Sequence, residues 1–339
     1  YFNAHDRTGE VFVVTGLGIY PNLGVIDAYA TVRIGDRQHT IRASDALGDD
    51  RMHLEVGPYR IEVIEPLQRI RLVCDGDDHG VGFDLTWQGS FPAVDEVPHL
   101  WRSGQKVVLD AQRFAQVGTW EGEVRVDGTT HDVRPDTWLG TRDRSWGIRP
   151  VGEAEPPGRA AAEPIEGFWW NYVPLRFDDF AIVVIVQEDP DGHRVLNDAV
   201  RIWPASAGRR PEQLGWPRID VHYRSGTRFP EGATIHLTEP DGTPLTLEIE
   251  TLGHVALNAG TGYGGDPGWS HGTWKGRNWV EGVDVDLTDP AVAGMIPFGL
   301  LDHVARATLD GHEGWGLFEL GTFGRHDPSG FADYGSVAP

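Results

Sequence analysis

Glycine and proline interrupt this chain too often for long helices, with 44 Gly and 23 Pro among 339 residues. In a helix interior Gly costs about 1 kcal/mol relative to Ala, and Pro about 3. The segments between these breakers are short and alternate with period two: Val11–Thr15, Tyr29–Arg33, Tyr59–Ile64, Ile70–Cys74, Glu123–Val126, Thr234–Leu237 and Leu245–Ile249. They are rich in Val, Ile, Thr and aromatics, which suit a pleated, half-buried surface. Asp127-Gly128, Asp191-Gly192 and Asp241-Gly242 supply the positive φ that tight hairpins need. Helical spacing is confined to Asp45–Gly48 and Asp289–Met295, a turn or two each. The pattern predicts an all-β protein with very little helix, built as antiparallel barrels or sandwiches.

The length fits one large or two ordinary domains. Val151–Glu166 is polar and rich in Pro and Ala. The Trp-rich segments on either side of it, Trp138–Arg149 and Phe168–Val173, both lead toward the apolar Phe180–Val186 run, so it reads as a surface loop within one sheet system. The Pro/Gly/Arg-rich stretch Pro204–Gly215 is the expected boundary, dividing the chain into domains 1–205 and 206–339. Thr-Trp-X-Gly recurs at Thr86–Gly89, Thr119–Gly122 and Thr273–Gly276, a hint of duplication.

A net charge of −22 repels phosphate backbones and anionic headgroups, which argues against nucleic acid and stable membrane association. The only lysines are Lys106 and Lys275, and neither lies in a Schiff-base or P-loop context. A single cysteine, Cys74, rules out an internal disulfide framework and a thiolate metal cage. No apolar run reaches spanning length, and Tyr1–Glu10 does not read as a signal peptide; the absence of an initiator Met implies trimming. A cytoplasmic protein is expected. The histidines form no H-E-x-x-H pattern, no G-x-S-x-G elbow occurs, and Gly16-Leu-Gly18 lacks a following helix. Asp75-Gly-Asp77-Asp78 offers oxygens for calcium without the pattern of a dedicated loop.

Chemistry concentrates where tryptophan does. The chain has 13 Trp against two Met, grouped at Trp138/Trp146, Trp169/Trp170, Trp269/Trp274/Trp279 and Trp315. Such residues either fill barrel ends or wall an apolar pocket, where ring faces stabilise a passing cation. The densest polar cluster is Thr141-Arg142-Asp143-Arg144-Ser145-Trp146-Gly147. In a strand Thr141, Asp143 and Ser145 share a face. Asp143 is then either a structural ion-pair partner or a buried acid with a raised pKa. Trp269–Gly276, read as a strand, places His271 and Thr273 together, and Glu319 lies on the apolar strand His312–Glu319.

These clusters resemble the carotenoid 1,2-hydratases (hydroxyneurosporene synthases) and their AttH-like, lipocalin-like relatives. The family's midpoint motif of Asp, a basic residue, a variable position, Trp and a small residue is matched by Asp143-Arg144-Ser145-Trp146-Gly147. Its Trp-rich strand and hairpin look like Gly167–Asn171, Phe177–Phe180 and Asp191-Gly192. Its closing strands look like Gly272–Gly276 and Gly314–Glu319, with order and spacing kept over roughly Trp138–Gly330. The resemblance implies two lipocalin-like domains with an apolar substrate cavity in or between them. It also implies cofactor-free water addition to, or cyclisation of, isoprenoid-like molecules, with the catalytic acid falling on Asp143. The aromatic residue usual two positions earlier is Thr141 here.

The expected function is therefore acid-initiated hydration, isomerisation or cyclisation of a hydrophobic terpenoid-like alkene, without cofactor or metal. Asp143, His271 and Glu319 are the candidate catalytic residues. Trp146, Trp169, Trp170, Asn171, Tyr172, Trp274 and Trp315 are the candidate substrate walls. The alternatives are a non-catalytic carrier of an apolar lipid or isoprenoid, and a carbohydrate-active β-protein.

Overall fold

A computed structural model describes residues 1–150, 165–264 and 268–339, and it is all-β with two antiparallel sheets. Every period-two run noted above lies inside a strand, for example Val11–Tyr20, Val25–Ile34, Arg69–Gly76 and Pro244–Ala256. Asp127 and Gly128 both take positive φ, 49° and 75°, the geometry of a type I′ hairpin. The α-helix Pro290–Met295 has six residues, with Pro first and Asp289 capping the Ala291 amide at 2.8 Å. Asp45 belongs instead to the strand Arg37–Ala46, because its neighbours pair along Val25–Ile34. Among the described residues no helix is long and apolar enough to cross a membrane.

The first sheet runs from Phe2–Asp6 to Trp138–Ile148 and takes in one late strand, Trp279–Asp286, which pairs with Arg37–Ala46. Its longest member, Lys106–Val126, has 21 residues and pairs with five others. At Gly122 (φ 135°) a Cβ would lie 2.0 Å from the Asp84 carbonyl, so only Gly lets the neighbouring strand approach there. The second sheet holds Gly167–Arg176, Ala181–Glu188, Arg194–Ile202, Pro230–Thr238, Pro244–Ala256, Leu300–Leu309 and His312–Gly324, with two short edge partners.

The sheets divide the chain differently from a cut at 205/206. Gly167–Arg176 pairs with His312–Gly324, which ties the Trp-rich segment to the C-terminal strands. The change of sheet lies between Ile148 and Gly167, across the segment expected to be a loop within one sheet; its residues 151–164 fall outside the described residues. The apolar character of Phe180–Val186 did not reveal its partners, because pairing depends on register across distant segments.

The Thr-Trp-X-Gly recurrence has a local explanation. Two of the tetrapeptides pair directly, Trp87 opposite Trp120, with ring centroids 5.1 Å apart in the first sheet's core. The third lies outside regular structure. Apolar side chains gather in three main layers. One, around Phe2, Phe83, Trp87 and Trp120, fills one side of the first sheet. Another, around Trp169, Val184, Phe318 and Leu320, fills one side of the second. The third joins Phe12, Val14, Ala115 and Val117 of the first sheet to Tyr172, Ile185, Val304 and Leu317 of the second. The two units therefore pack sheet against sheet, and the candidate site lies in this shared layer.

Candidate active site

Strand register determines which side chains enter the shared layer. In the second sheet Tyr172 lies opposite Glu319, and Glu319 opposite Asp302. All three are on the face that Leu317 and Val304 turn toward the first sheet. Two carboxyl groups thus sit directly across from one another in a buried sheet. As anions they would repel strongly in so dry a place. Burial raises both pKa values, and the facing Glu319 charge adds to the rise of Asp302, which lies well above the carboxylate range. The two carboxyls titrate as one coupled pair, and a proton held between them relieves the repulsion.

Outer donors orient this pair. The Tyr1 hydroxyl donates to Asp302 Oδ2, and Trp170 Nε1 donates to Glu319 Oε1. Tyr1 is steadied by Asn3, whose Nδ2 lies 3.3 Å from the hydroxyl and 2.7 Å from Thr141 Oγ1. Asn3 Oδ1 accepts from the Thr141 amide at 2.9 Å. Thr141, where the resembled family carries an aromatic residue, therefore anchors the first strand beneath the carboxyl pair.

Asp143, half-buried, is held by its backbone: its carbonyl and amide bond the Tyr1 amine and carbonyl at 3.1 and 3.2 Å. Its charge raises the pKa values of Asp302, Glu319, Tyr172 and Glu96, placing it at the same site. Beyond Trp170 lies a buried ion pair, Arg113 Nε to Glu96 Oε2 at 2.9 Å. Arg113 stacks over Trp170, 5.2 Å from the ring centre, and His99 stacks beside it at 6.0 Å. Burial pushes Glu96 up to about 7 despite Arg113, and burial with the nearby arginine pushes His99 down to about 4.

On the first-sheet side Tyr29, Tyr263, His271 and Trp269 form an aromatic group. His271 is 4.7 Å from Tyr263, 5.5 Å from Tyr29 and 5.4 Å from Trp269 between ring centres. Gly16 makes room for the Tyr29 ring, since a Cβ there would lie 2.7 Å from it. Burial drives His271 down to about 3 and both tyrosines up, so all three are neutral. The segment carrying His271 is irregular rather than a strand. The Gly272 amide donates to the buried Asp27 Oδ2 at 2.6 Å, which pins the segment to the first sheet.

The structure thus brings together Asp143, Glu319, Trp170, Tyr172 and, through the tyrosines, His271. It does not bring in the rest of the expected wall. Trp169 and Asn171 alternate with Trp170 and Tyr172 and point into the second sheet's own core. Trp169 stacks on His326, and Asn171 Nδ2 donates to the Glu319 carbonyl at 2.9 Å. Trp146 and Trp274 are 49% and 46% exposed. Trp315 is four residues from Glu319 along its strand and is covered by Arg7 at 4.5 Å. Tyr1, Tyr29, Tyr263 and Asp302 were missed. Asp302, in Leu-Leu-Asp-His-Val, carried no periodic signal, and only its pairing opposite Glu319 shows it to be internal.

Metal-type groupings lie elsewhere. Asp75 and Asp77, noted as possible calcium oxygens, pair with Arg60 and Arg125 at 2.7 and 2.9 Å. Asp189, Asp191 and His193 converge on an exposed turn, where Asp191 also pairs with Arg325. Two surface depressions, beside Arg69 and Glu121 and beside Trp101 and Arg325, do not reach the carboxyl pair.

With this geometry in hand, known proteins place the fold. The chain is similar in structure to kievitone hydratase from Nectria haematococca, with TM-score 0.54 and 15% identity over 94% of this chain and 87% of that one. It is equally similar to an AttH-type protein from Nitrosomonas europaea, with TM-score 0.55 and 15% identity over 94% and 91%. CghA, solved with Sch210972, gives TM-score 0.52 and 13% identity over 95% and 87%. The AttH-like, lipocalin-like fold expected from the motifs is therefore the fold observed. No curated protein sequence matches the chain. Residues 1–332 match a family of unknown function, DUF8625, and the chain belongs to that family.

Proposed function

We propose that this protein is an enzyme that hydrates, isomerises or cyclises an unsaturated, largely apolar small molecule held between the two sheets. The carrying observation is the buried Asp302–Glu319 pair, two carboxyls directly opposite one another on paired strands, whose pKa values burial raises. Packing alone does not call for such a pair: replacing buried ionised groups with apolar ones is often neutral or stabilising. Two carboxyls whose environments separate their pKa values supply an acid and a base side by side.

In a hydration, Asp302 gives its proton to one alkene carbon and water attacks the other. Glu319 accepts the proton that water loses. A proton then passes from Glu319 to Asp302, so the pair ends as it began. In an isomerisation, Glu319 removes a proton from a neighbouring carbon instead. Each step is a proton transfer or the addition of water, and the acid and base of the pair serve all of them. Trp170 turns its Nε1 edge to Glu319 and its ring to Arg113 and His99, which fixes the carboxyl pair in place. His271, neutral at ordinary pH, orients rather than titrates. That the chain shares its fold with a hydratase, and with a protein solved in complex with a small molecule, supports the reading.

The test begins with organic extraction of the purified protein and mass spectrometry of what is released. We expect an unsaturated apolar compound that wild type converts and that Asp302→Asn and Glu319→Gln bind but leave unchanged. Conversion by a folded Asp302→Asn/Glu319→Gln double variant at the wild-type rate would overturn the proposal.

A further inference from the structure

Opposite the carboxyl pair lies a set of neutral polar groups that the proton chemistry does not use. The Tyr29 hydroxyl and Trp269 Nε1, both donors, and His271 Nε2, an acceptor because the ring gives its one N–H to the Thr261 carbonyl, are buried with no hydrogen bond of good geometry among the described residues. Leaving such a group unpaired costs about 1–3 kcal/mol, so a cluster of three is costly unless something else satisfies it. The sheet does not need these atoms either: Tyr29 pairs through its backbone with Gly16 and Arg42, and its ring alone reaches into the shared layer.

The tyrosines belong to the same site as the acid. Asp302, Glu319 and Tyr29 all act on the Tyr1 side chain, Asp302 and Tyr263 act on Tyr29, and Glu319 acts on Tyr263. Tyr1, hydrogen-bonded to Asp302, bridges the two groups. A purely hydrocarbon substrate would leave the tyrosyl end unpaired. An oxygen acceptor next to the reacting carbons would satisfy it.

We infer that the substrate's double bond is conjugated to a carbonyl, and that the Tyr29 and Tyr263 hydroxyls receive that oxygen. This rests on the acid–base reading of the Asp302–Glu319 pair and specifies the substrate for it. Tyrosyl donors opposite a carboxyl pair are arranged for enolate chemistry, in which charge develops on oxygen while a proton moves at carbon. For water addition, the water oxygen bonds to the β-carbon while its proton goes to Glu319. The C=C electrons shift to give an enolate whose oxygen is held by Tyr29 and Tyr263. The α-carbon then takes the Asp302 proton and the carbonyl re-forms, so the net change is one water added. For isomerisation, Glu319 removes a γ-proton to give the dienolate, and Asp302 returns a proton at the α-carbon.

The experiment uses the whole protein and two probes: β-ionone, a C13 conjugated ketone, and the C13 hydrocarbon of the same skeleton lacking the carbonyl. Binding is read by quenching of tryptophan fluorescence, and proton transfer by mass-spectrometric deuterium uptake from D2O at the enone α-carbon of β-ionone, which reversible water addition labels and exchange at the methyl group does not. Wild type is expected to bind the ketone at least tenfold more tightly than the hydrocarbon. Tyr29→Phe/Tyr263→Phe should lose that preference and slow deuterium uptake about a hundredfold. The wild-type preference is decisive even if the double variant folds poorly, and each single Phe variant should then show a smaller loss. Equal binding of the two probes, binding of neither, or a preference kept by a folded double variant would overturn the oxygen site. Wild-type deuterium uptake in a folded Glu319→Gln that still prefers the ketone would instead overturn the acid–base reading and leave the oxygen site standing.

Discussion

The two faces of the second sheet are made by the same strands and differ only in which alternate residue they present. One face carries Trp169, Val173, Val184, Phe318 and Leu320, closely packed and apolar. The other carries Tyr172, Asp198, Asp302 and Glu319, buried beneath the first sheet, with the half-buried Trp170 beside them. A face that served only to hold the two units together would be expected to look like the first. Polar groups retained at depth, each raised or lowered from its ordinary pKa, mark the second face as the place where the molecule departs from packing for the sake of chemistry.

The sharpest way to break this comparison is to substitute neighbours on one strand. Glu319→Gln, and separately Asp302→Asn, should lower turnover about 10²–10⁴-fold, the usual contribution of a positioned proton donor or acceptor, while circular dichroism and ligand binding stay intact. Phe318→Ala, one residue away on the opposite face and fully buried, should cost about 3–5 kcal/mol in urea unfolding and leave the catalytic constants of the folded fraction unchanged. If both substitutions affect stability alone, the two faces do not differ in the way argued.

Replacing the pair altogether sharpens the point. Asp302→Leu/Glu319→Leu removes two buried acids, and unfolding should show equal or greater stability, by up to about 4 kcal/mol, with activity abolished. A strongly destabilised double variant would mean that the pair is structural.

A smaller effect concerns pH. Burial raises Asp27 to about 7, against the Gly272 amide and Tyr20, which favour its anion. A buried acid with a raised pKa binds its proton more tightly folded than unfolded. Its contribution is therefore complete at acid pH, begins to fall above about pH 4 and is lost as pH rises through 7. Melting temperature should decline between pH 5 and 8, with a shallower decline in Asp27→Asn. An unchanged slope would show that Asp27 is already ionised in the fold. Smallest of all, Trp146→Ala on the exposed surface should change stability by less than about 1 kcal/mol and leave turnover unaltered; a large loss of activity would return Trp146 to the substrate wall.

Much of this architecture is written locally. Alternation with period two, Asp-Gly turns and closely spaced Gly and Pro are properties of adjacent residues, so the strands and the near absence of helix can be read directly. The midpoint Asp143 and the strand acid Glu319 are also legible, since each stands out from its immediate neighbours. The choice between Trp169 and Trp170, or between Asn171 and Tyr172, is not, because adjacent strand residues have opposite faces and only pairing says which face is which. Trp146 and Trp274 looked like walls on residue type alone, but residue type does not encode exposure.

By itself, then, the sequence determined the β class, the turns, the acidic exterior and two of the acids now placed at the candidate site. The tertiary structure decided that Gly167–Arg176 joins the C-terminal strands, that Asp302 faces Glu319, and that Tyr1, Tyr29 and Tyr263 meet them from the other sheet. These groups come from both ends of the chain, with Tyr1 and Asp302 separated by 301 positions. No local pattern spans that distance; the pKa values that make the site chemical arise only when the two sheets close and exclude water.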